Sequence, residues 1–129
     1  MNTNQAKELF HQEGYDFMAA VFEVHNEIGC GFLEEVYQES LELELSERRI
    51  PFMARPKLKL HYKGRELKKY YEADLIIMGE ILVELKAAKA LAPEHEAQLI
   101  NYLKVTRKRV GYLVNFGAFP CLQWKRLVL

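Results

Sequence analysis

The stretch DLIIMGEILVELK, residues 74–86, decides the fold of this chain. Two apolar runs of strand length flank Gly79, a residue typical of turns, and together they predict two neighbouring β-strands. Charged residues interrupt these runs, because Asp74 stands at the beginning and Glu84 and Lys86 stand at the end. An ionised side chain among Leu, Ile and Val needs a charged partner or a metal ion. The stretch is therefore a candidate functional site as well as part of the core.

Strand parity sets a geometric requirement on this hairpin. Asp74 and Glu84 leave the same face of a sheet only if the paired residue numbers of the two strands have an even sum. A two-residue turn would give an odd sum and would put the two carboxylates on opposite faces. We therefore predict a three-residue loop, residues 78–80, that pairs Ile77 with Ile81, or else a β-bulge nearby. The loop glycine or its neighbour then takes a positive φ.

The spacing of apolar residues predicts the other elements. Helices are expected at residues 15–28, about 32–49 and about 93–105, and strands at residues 58–62, 67–78, 81–86, 110–115 and 122–128. On the long strand, alternation predicts that Tyr71, Ala73, Leu75 and Ile77 share one face. The order ααβββαββ predicts an α+β protein, an α/β sandwich whose mixed central sheet is flanked by helices.

Length and composition set the class of protein. We expect a single domain over residues 1–129, with residues 1–14 as an N-terminal extension. The chain has 50% apolar and 28% charged residues, which excludes intrinsic disorder. The sequence contains no apolar run of the length of a signal peptide or membrane span, so a cytoplasmic protein without a membrane partner is expected. Cys30 and Cys121 fit neither a disulfide framework nor a metal-binding spacing, which predicts two reduced, structural thiols.

The net charge of zero combines two opposite parts. Residues 1–50 carry a net charge of −8, and residues 51–129 carry a net charge of +8. Acidic helices packed beside a basic sheet would cancel these charges, whereas a basic surface would suit a nucleic acid. The candidate phosphate contacts are Lys104, Arg107, Lys108 and Arg109, near the end of the last predicted helix. The helix dipole favours basic residues there without any ligand, so both interpretations stay open.

The carboxylates of Asp74 and Glu84 are the kind of ligand that Mg²⁺ prefers, completed by backbone oxygens and water. Lys86 is two residues beyond Glu84 on the same strand and therefore shares its face. An ammonium beside a metal site is suited to phosphodiester chemistry, although a lone Glu-x-Lys is more often a solvated strand edge. The helix that follows adds a stripe of three polar residues at spacings of 3 and 4, namely His95, Gln98 and Tyr102.

Several short motifs occur together in one order. They are VH at 24–25, GFLEEVY at 31–37, AD at 73–74, VELKA at 83–87, HEAQLINYLK at 95–104, NFG at 115–117 and KR at 125–126. In this order they resemble the GxxExxY family over about residues 15–129. That family is similar to a compact branch of the PD-(D/E)XK nuclease superfamily, whose core is an αβββαβ sandwich with a metal site on the second and third strands.

The resemblance implies roles for individual residues. Asp74 and Glu84 would hold Mg²⁺ or Mn²⁺, and Lys86 would be the catalytic lysine. Supporting residues implied by the resemblance are Gln98 and Tyr102 from the following helix and Glu34 from the first helical layer. One departure is Ala73, which stands where the superfamily name has proline. The resemblance therefore lacks the support of that proline, but both implied metal ligands are present.

Three further residues have competing interpretations. His25 lies on an apolar helical stripe, which favours a hydrogen-bonded core histidine over a role near Glu34. Glu34 itself is either an acidic residue of the site or a first-turn acid stabilised by the helix dipole. Tyr37 is predicted to be a packing residue whose hydroxyl points toward the site.

The expected function is a Mg²⁺- or Mn²⁺-dependent nuclease that hydrolyses phosphodiester bonds, in DNA, with metal-activated water. The alternative is a nucleic-acid-binding or protein-interaction module that keeps the nuclease fold without turnover. A toxin–antitoxin or phage-defence component is a third possibility that the sequence does not address. The complete set of Asp74, Glu84 and Lys86 favours activity. Because the sequence shows no added recognition domain, specificity is expected from loops, a partner or a homodimer.

Overall fold

The computed structural model describes residues 2–120 and 122–129. The helices are α1 (Thr3–Glu8), α2 (His11–Ile28), α3 (Glu34–Glu47) and α4 (Pro93–Thr106). The strands are β1 (Phe52–Ala54), β2 (Lys57–Tyr62), β3 (Arg65–Glu72), β4 (Leu75–Ile77), β5 (Ile81–Lys86), β6 (Val110–Asn115) and β7 (Gln123–Val128). The predicted α+β class is confirmed.

The central sheet is mixed, as predicted. Its five strands lie in the order β1-β4-β5-β6-β7, and β5 and β6 are parallel while the other pairs are antiparallel. Parallel neighbours require a crossover connection, and α4 provides it between β5 and β6. Each face of the sheet is covered, so the strands β5 and β6 are buried along their whole length except for the half-buried Lys86.

Two apolar cores lie on opposite faces of this sheet. Odd-numbered residues of β5, such as Val83, pack with α2 and α3 in the larger core. The even-numbered Leu82 packs on the other face with Leu99 and Leu103 of α4 and with Leu58 of β2. Alternation along β5 therefore places Glu84 and Lys86 on the α4 face.

The predicted register of the central hairpin is confirmed. Ile77 pairs with Ile81 and Leu75 pairs with Val83, so the paired numbers have the even sum that a common face requires. Residues 78–80 form the loop, in which both Met78 (φ 52°) and the following glycine (φ 71°) have positive φ. Asp74 and Glu84 are thereby brought to the same end and the same face of the hairpin.

The prediction of one continuous strand over residues 67–78 is wrong. The predicted common face for Tyr71, Ala73, Leu75 and Ile77 is wrong as well, because the first two pack in the core with α4 and the last two in the core with α2 and α3. The strand is divided at Ala73 and Asp74 into β3 and β4, and β3 pairs with β2 in a separate two-stranded sheet, residues 57–72, here called the ribbon. The register nevertheless continues across the division, because Arg55 N–H donates to Asp74 O (2.9 Å) and Ala73 N–H donates to Pro56 O (3.2 Å). Pro56 has no N–H for the ladder, and Arg55 has a positive φ of 48°, so the hairpin bends there. Asp74 lies at this bend.

Two short elements were not predicted, and one helix begins earlier than expected. The six-residue helix α1 is polar and therefore gives no periodic apolar signal in the sequence. Asn2 caps its N-terminus. The strand β1 has three residues, too few for a periodic signal. α2 begins at His11, within the segment assigned to an N-terminal extension.

Two further expectations from the sequence concern the state of the cysteines and the absence of a membrane-spanning helix. Cys30 is half-buried and forms no disulfide among the described residues, whereas Cys121 lies outside them. Among the helices that the structure describes, none has both the length and the apolar character needed to cross a lipid bilayer.

The loop that follows Lys86 is anchored by one buried amide. The Asn115 side chain accepts hydrogen bonds from Ala88 N–H (2.9 Å) and Gly117 N–H (3.0 Å) and donates to Ala88 O (2.9 Å). Gly117 lies directly against this loop, since a Cβ built on it would be 2.5 Å from Ala88 N and 2.6 Å from Ala87 C. The backbone next to Lys86 is thus held by close packing that only glycine permits at residue 117.

We expect Gly117→Ala to destabilise the protein by about 2 kcal/mol or more, because the added methyl group meets backbone atoms that cannot rotate away. Gly111→Ala is the matched control: its Cβ would meet only the Leu99 side chain, at 3.1–3.2 Å, and should cost less. Chemical denaturation of both variants measures the difference. A Gly117→Ala variant no less stable than Gly111→Ala would contradict this account of the loop.

Candidate metal centre

Two carboxylates meet at the bend of the hairpin. Asp74 N–H donates to Glu84 Oε1 (3.1 Å), and Leu85 N–H donates to Asp74 Oδ2 (2.6 Å). One oxygen of each carboxylate is therefore fixed by the backbone of the other strand. Glu84 is only 4% exposed, and no ion pair of it is found in the part of the chain that the structure describes, which is unusual for a buried acidic side chain.

The second oxygen of each carboxylate has a different environment. Within the described part of the chain, Asp74 Oδ1 and Glu84 Oε2 accept no hydrogen bond. No buried polar side-chain atom of the described residues lacks a hydrogen-bond partner, so these two oxygens are in contact with solvent-accessible space. Each carboxylate thus offers one anchored and one accessible oxygen.

The pair is electrostatically strained in the absence of a cation. Burial, followed by the negative charge of Asp74, raises the pKa of Glu84 to about 8. Burial also raises the pKa of Asp74, although its hydrogen bond from Leu85 N–H opposes the shift. A divalent cation would relieve both the desolvation and the mutual repulsion, which is the setting expected of metal-binding carboxylates.

Lys86 and Gln98 join the site from β5 and α4. Lys86 Nζ donates to Gln98 Oε1 (3.2 Å), and its charge lowers the pKa of both carboxyl groups, in opposition to burial. Tyr102 lies one turn further along α4 and is buried, and the charge of Glu84 contributes to its raised pKa after burial. The structure therefore brings together four of the residues predicted for the site, with Tyr102 beside them.

α3 approaches the site from the other layer. Glu34, its first residue, lines a small cavity with Asp74 and Arg55, and its negative charge raises the pKa of both carboxyl groups. Gln38 lies one turn further along α3, is buried, and donates through Nε2 to Asp74 O (3.0 Å). Glu34 thus acts on the site through its charge, and it is also the first-turn acid that the sequence suggested.

The roles of Gln38 and Arg55 at the site were not predicted from the sequence. Both hold the backbone of Asp74, since Arg55 N–H donates to the same carbonyl as Gln38. The available signal was helical spacing, because Gln38 follows Glu34 by four residues and so shares its face.

The donor set fits a metal ion that keeps several water ligands. Among the described residues, no three His, Cys, Asp or Glu side chains form a group able to hold a metal. Mg²⁺ is commonly held by one or two carboxylates and completed by water. Asp74 and Glu84, each with an accessible oxygen, meet that requirement.

Two other side chains, Tyr37 and His95, make hydrogen bonds that do not involve the carboxylates. The predicted direction of the Tyr37 hydroxyl is wrong: it donates to Gly29 O (2.6 Å), and the ring stacks on Phe116. His95 Nδ1 accepts from Ala92 N–H (3.0 Å) and thereby caps α4. His25 is half-buried on α2, and no side-chain hydrogen bond of it is found among the described residues.

The basic residues proposed as phosphate contacts are divided by the fold. Lys108 Nζ donates to Gly79 O (2.6 Å), and Arg109 precedes Val110, which pairs with Ile81. These positions are at the hairpin-loop end of β5, about 17 Å from Lys86 at 3.3 Å per residue. Arg107 ends α4 at the same end of the molecule.

Lys104 is the exception among these four. It lines a groove along α4 together with Gln98, Tyr102 and Tyr71 of the ribbon. It is therefore the only one of the four that the structure places in one groove with residues of the site.

A mixed sheet with a carboxylate pair and a lysine at one end of its central hairpin defines a protein of the PD-(D/E)XK type. The family model of the PD-(D/E)XK nuclease superfamily matches residues 11–127, and the chain belongs to this superfamily. Its members are usually nucleases, and they typically use divalent metal ions such as Mg²⁺.

Comparison with solved structures agrees with this fold. The chain is similar to the crystal structure of SSO0001, with a TM-score of 0.57 and 18% sequence identity. The similarity covers 92% of this chain and 59% of SSO0001, so the chain spans less than two thirds of that protein. A comparison with curated proteins found no match.

Proposed function

We propose that this protein is a metal-dependent nuclease of the GxxExxY branch, which hydrolyses phosphodiester bonds in DNA. One observation carries the proposal: among the described residues, Asp74 and Glu84 each keep one oxygen without a hydrogen bond, and the positive charge of Lys86 acts on both carboxyl groups. Superfamily membership supports the reaction class. A cytoplasmic location, a homodimer and a single domain over residues 1–129 remain predictions from the sequence.

The residues of the site have distinct tasks in this proposal. Bound Mg²⁺ or Mn²⁺ would polarise a phosphoryl oxygen and lower the pKa of its water. Asp74 and Glu84 would hold the ion, with their free oxygens positioned by the backbone hydrogen bonds of the hairpin. Lys86, oriented by Gln98, would orient the attacking water or balance the negative charge that develops on the phosphoryl group.

Cleavage of linear duplex, branched and single-stranded DNA in Mg²⁺ or Mn²⁺ tests this proposal. We expect the wild-type protein to cleave at least one of these substrates and Glu84→Gln to be inactive on it. The amide of Gln can still accept the hydrogen bond from Asp74 N–H, so the variant should fold. Glu80→Gln, an exposed change in the same hairpin, is the matched control and should remain active.

Two outcomes would contradict the proposal. Retained cleavage by Glu84→Gln would remove this site from the reaction. A wild-type protein that binds DNA but cleaves none of the substrates would favour the non-catalytic binding module instead.

A further inference from the structure

The outer half of the ribbon projects from the body of the protein. Every residue from His61 to Tyr70 is exposed, and only the base of the ribbon is packed. There Leu58 is buried against α4, and the ring of Tyr71 lies 5.3 Å from that of Tyr102. An isolated two-stranded sheet gains little stability from its own contacts. Folding stability therefore does not explain the outer half of the ribbon, which has no apolar packing.

The ribbon concentrates positive charge in a neutral protein. Its 16 residues include six Lys or Arg and two Glu, a net charge of +4, although the whole chain has a net charge of zero. Both acids are near cations: Glu66 is 3.6 Å from Lys59 and Glu72 is 3.9 Å from Arg55. Among the described residues, four basic side chains of the outer ribbon form no ion pair, namely Lys63, Arg65, Lys68 and Lys69.

A register shift separates the base of the ribbon from its tip. Lys59 pairs with Tyr70 but His61 pairs with Glu66, so residues 67–69 oppose the single residue Leu60. Such bulges increase the local twist and redirect side chains, and they are common near functional sites. Two of the four basic residues, Lys68 and Lys69, lie in this bulge.

The ribbon is also joined directly to the candidate metal centre. Its backbone continues from the bend at Asp74, and its base forms one wall of the groove that contains Gln98 and Lys104. At about 3.3 Å per residue of extended strand, Lys68 and Lys69 are at most about 17–20 Å from Asp74, a span of no more than about five or six base pairs. A nucleic acid held by the ribbon could therefore extend to the site.

We propose that the ribbon is a binding arm for double-stranded DNA, whose phosphates it contacts through Lys63, Arg65, Lys68 and Lys69. A two-stranded ribbon has the width that the major groove of a duplex admits, about 12 Å. Unpaired bases would need open aromatic rings for stacking. Tyr62 and Tyr70 of the ribbon are exposed, and a lysine lies over one face of each ring, so their other faces could also contact bases. The width of the ribbon is therefore the feature that favours the duplex.

This inference deepens the proposed function, on which it rests, but it is tested by binding alone. Fluorescence anisotropy with a short duplex and with a single strand of the same length, in EDTA and over about 50–200 mM salt, measures affinity without turnover. The variants are Lys63→Gln/Arg65→Gln and Lys68→Gln/Lys69→Gln. The matched control is Arg48→Gln/Arg49→Gln, which removes two exposed charges at the end of α3.

We expect each ribbon variant to bind the duplex roughly tenfold or more weakly and to lose about 2 from the slope of log affinity against log salt. The control should bind as the wild type does, and thermal unfolding should show all variants folded. Equal binding by ribbon variants and wild type, an equal loss in the α3 control, or a loss confined to single-stranded DNA would overturn the inference. A wild type that binds through the ribbon but does not cleave in Mn²⁺ would support it and contradict only the nuclease proposal.

Discussion

Lys86→Ala should lower the turnover of phosphodiester cleavage by about 10³-fold while Mn²⁺ binding and folding are retained. The reason is positional, because Lys86 is a neighbour of the carboxylate pair rather than a ligand, and its Nζ is held by Gln98 Oε1 at 3.2 Å. Its ammonium should contribute most when negative charge develops on the phosphoryl group. Single-turnover cleavage together with calorimetric Mn²⁺ titration measures the two effects separately.

Lys89→Ala is the matched control for this prediction, since Lys89 is an exposed lysine three residues further along. Gln98→Ala should have a smaller effect, because it removes only the group that orients Lys86. Cleavage by the double variant Lys86→Ala/Gln98→Ala should be little slower than cleavage by Lys86→Ala alone, as expected for residues that act as a unit. A Lys86→Ala variant as active as Lys89→Ala would contradict the assigned role.

The metal-free protein should lose stability as the pH rises from about 4.5 to about 8. Burial and the charge of Asp74 raise the pKa of Glu84 from 4.5 to about 8, so the folded state keeps a proton that the unfolded state has released. The stabilisation is fully present below pH 4.5 and is lost as the pH rises through about 8. Linkage limits the slope from this group to about 1.4 kcal/mol per pH unit.

Chemical denaturation in EDTA across this pH range measures the effect. Glu84→Gln should flatten the profile, because its amide does not titrate, whereas Glu80→Gln should leave the profile unchanged. Saturating Mn²⁺ should stabilise the wild type more at high pH than at low pH, since the carboxylates must be ionised to bind it. A free energy of unfolding of the wild type in EDTA that rises with pH over this window would show that Glu84 is not held protonated.

The sequence predicted the central hairpin because burial and parity constrain it together. A shared face for Asp74 and Glu84 requires an even register, and the pairing of Ile77 with Ile81 meets it. The division at Asp74 was missed because the apolar alternation of the sequence and the pairing register both continue through it, although Ala73 and Leu75 pack in opposite cores. Pro56 on the opposite strand was the available signal, but its effect on the partner strand is a tertiary property.

The candidate site could be predicted only where its residues lie near one another in sequence or on one helix. Strand alternation placed Lys86 on the face of Glu84. Helical spacing put Gln98 on a polar stripe, and the family resemblance implied its role at the site. Gln38 and Arg55 hold the backbone of Asp74 from another layer and from the bend. Helical spacing put Gln38 on the face of Glu34, but neither local pattern nor residue type shows that Gln38 and Arg55 bind the Asp74 carbonyl.

The position of the basic residues in the fold could not be predicted from local sequence patterns either. Residues 104–109 were selected because they cluster at a helix end, yet Lys108 is bound to the hairpin loop, far from the carboxylates. Lys57 and Lys59 of the ribbon alternate with Leu58 and Leu60, a pattern typical of an ordinary half-exposed strand. Only the bend at Asp74 turns that strand pair into a projecting arm.

The central claim is that Asp74 and Glu84 share one metal ion. Calorimetric titration of Mn²⁺ into wild type, Asp74→Asn and Glu84→Gln tests it most directly, with Glu80→Gln as the control. We expect one ion to bind per chain in the wild type and in the control, and no specific binding in either site variant. Equal heats of binding in wild type and in both site variants would show that these carboxylates do not form a metal site.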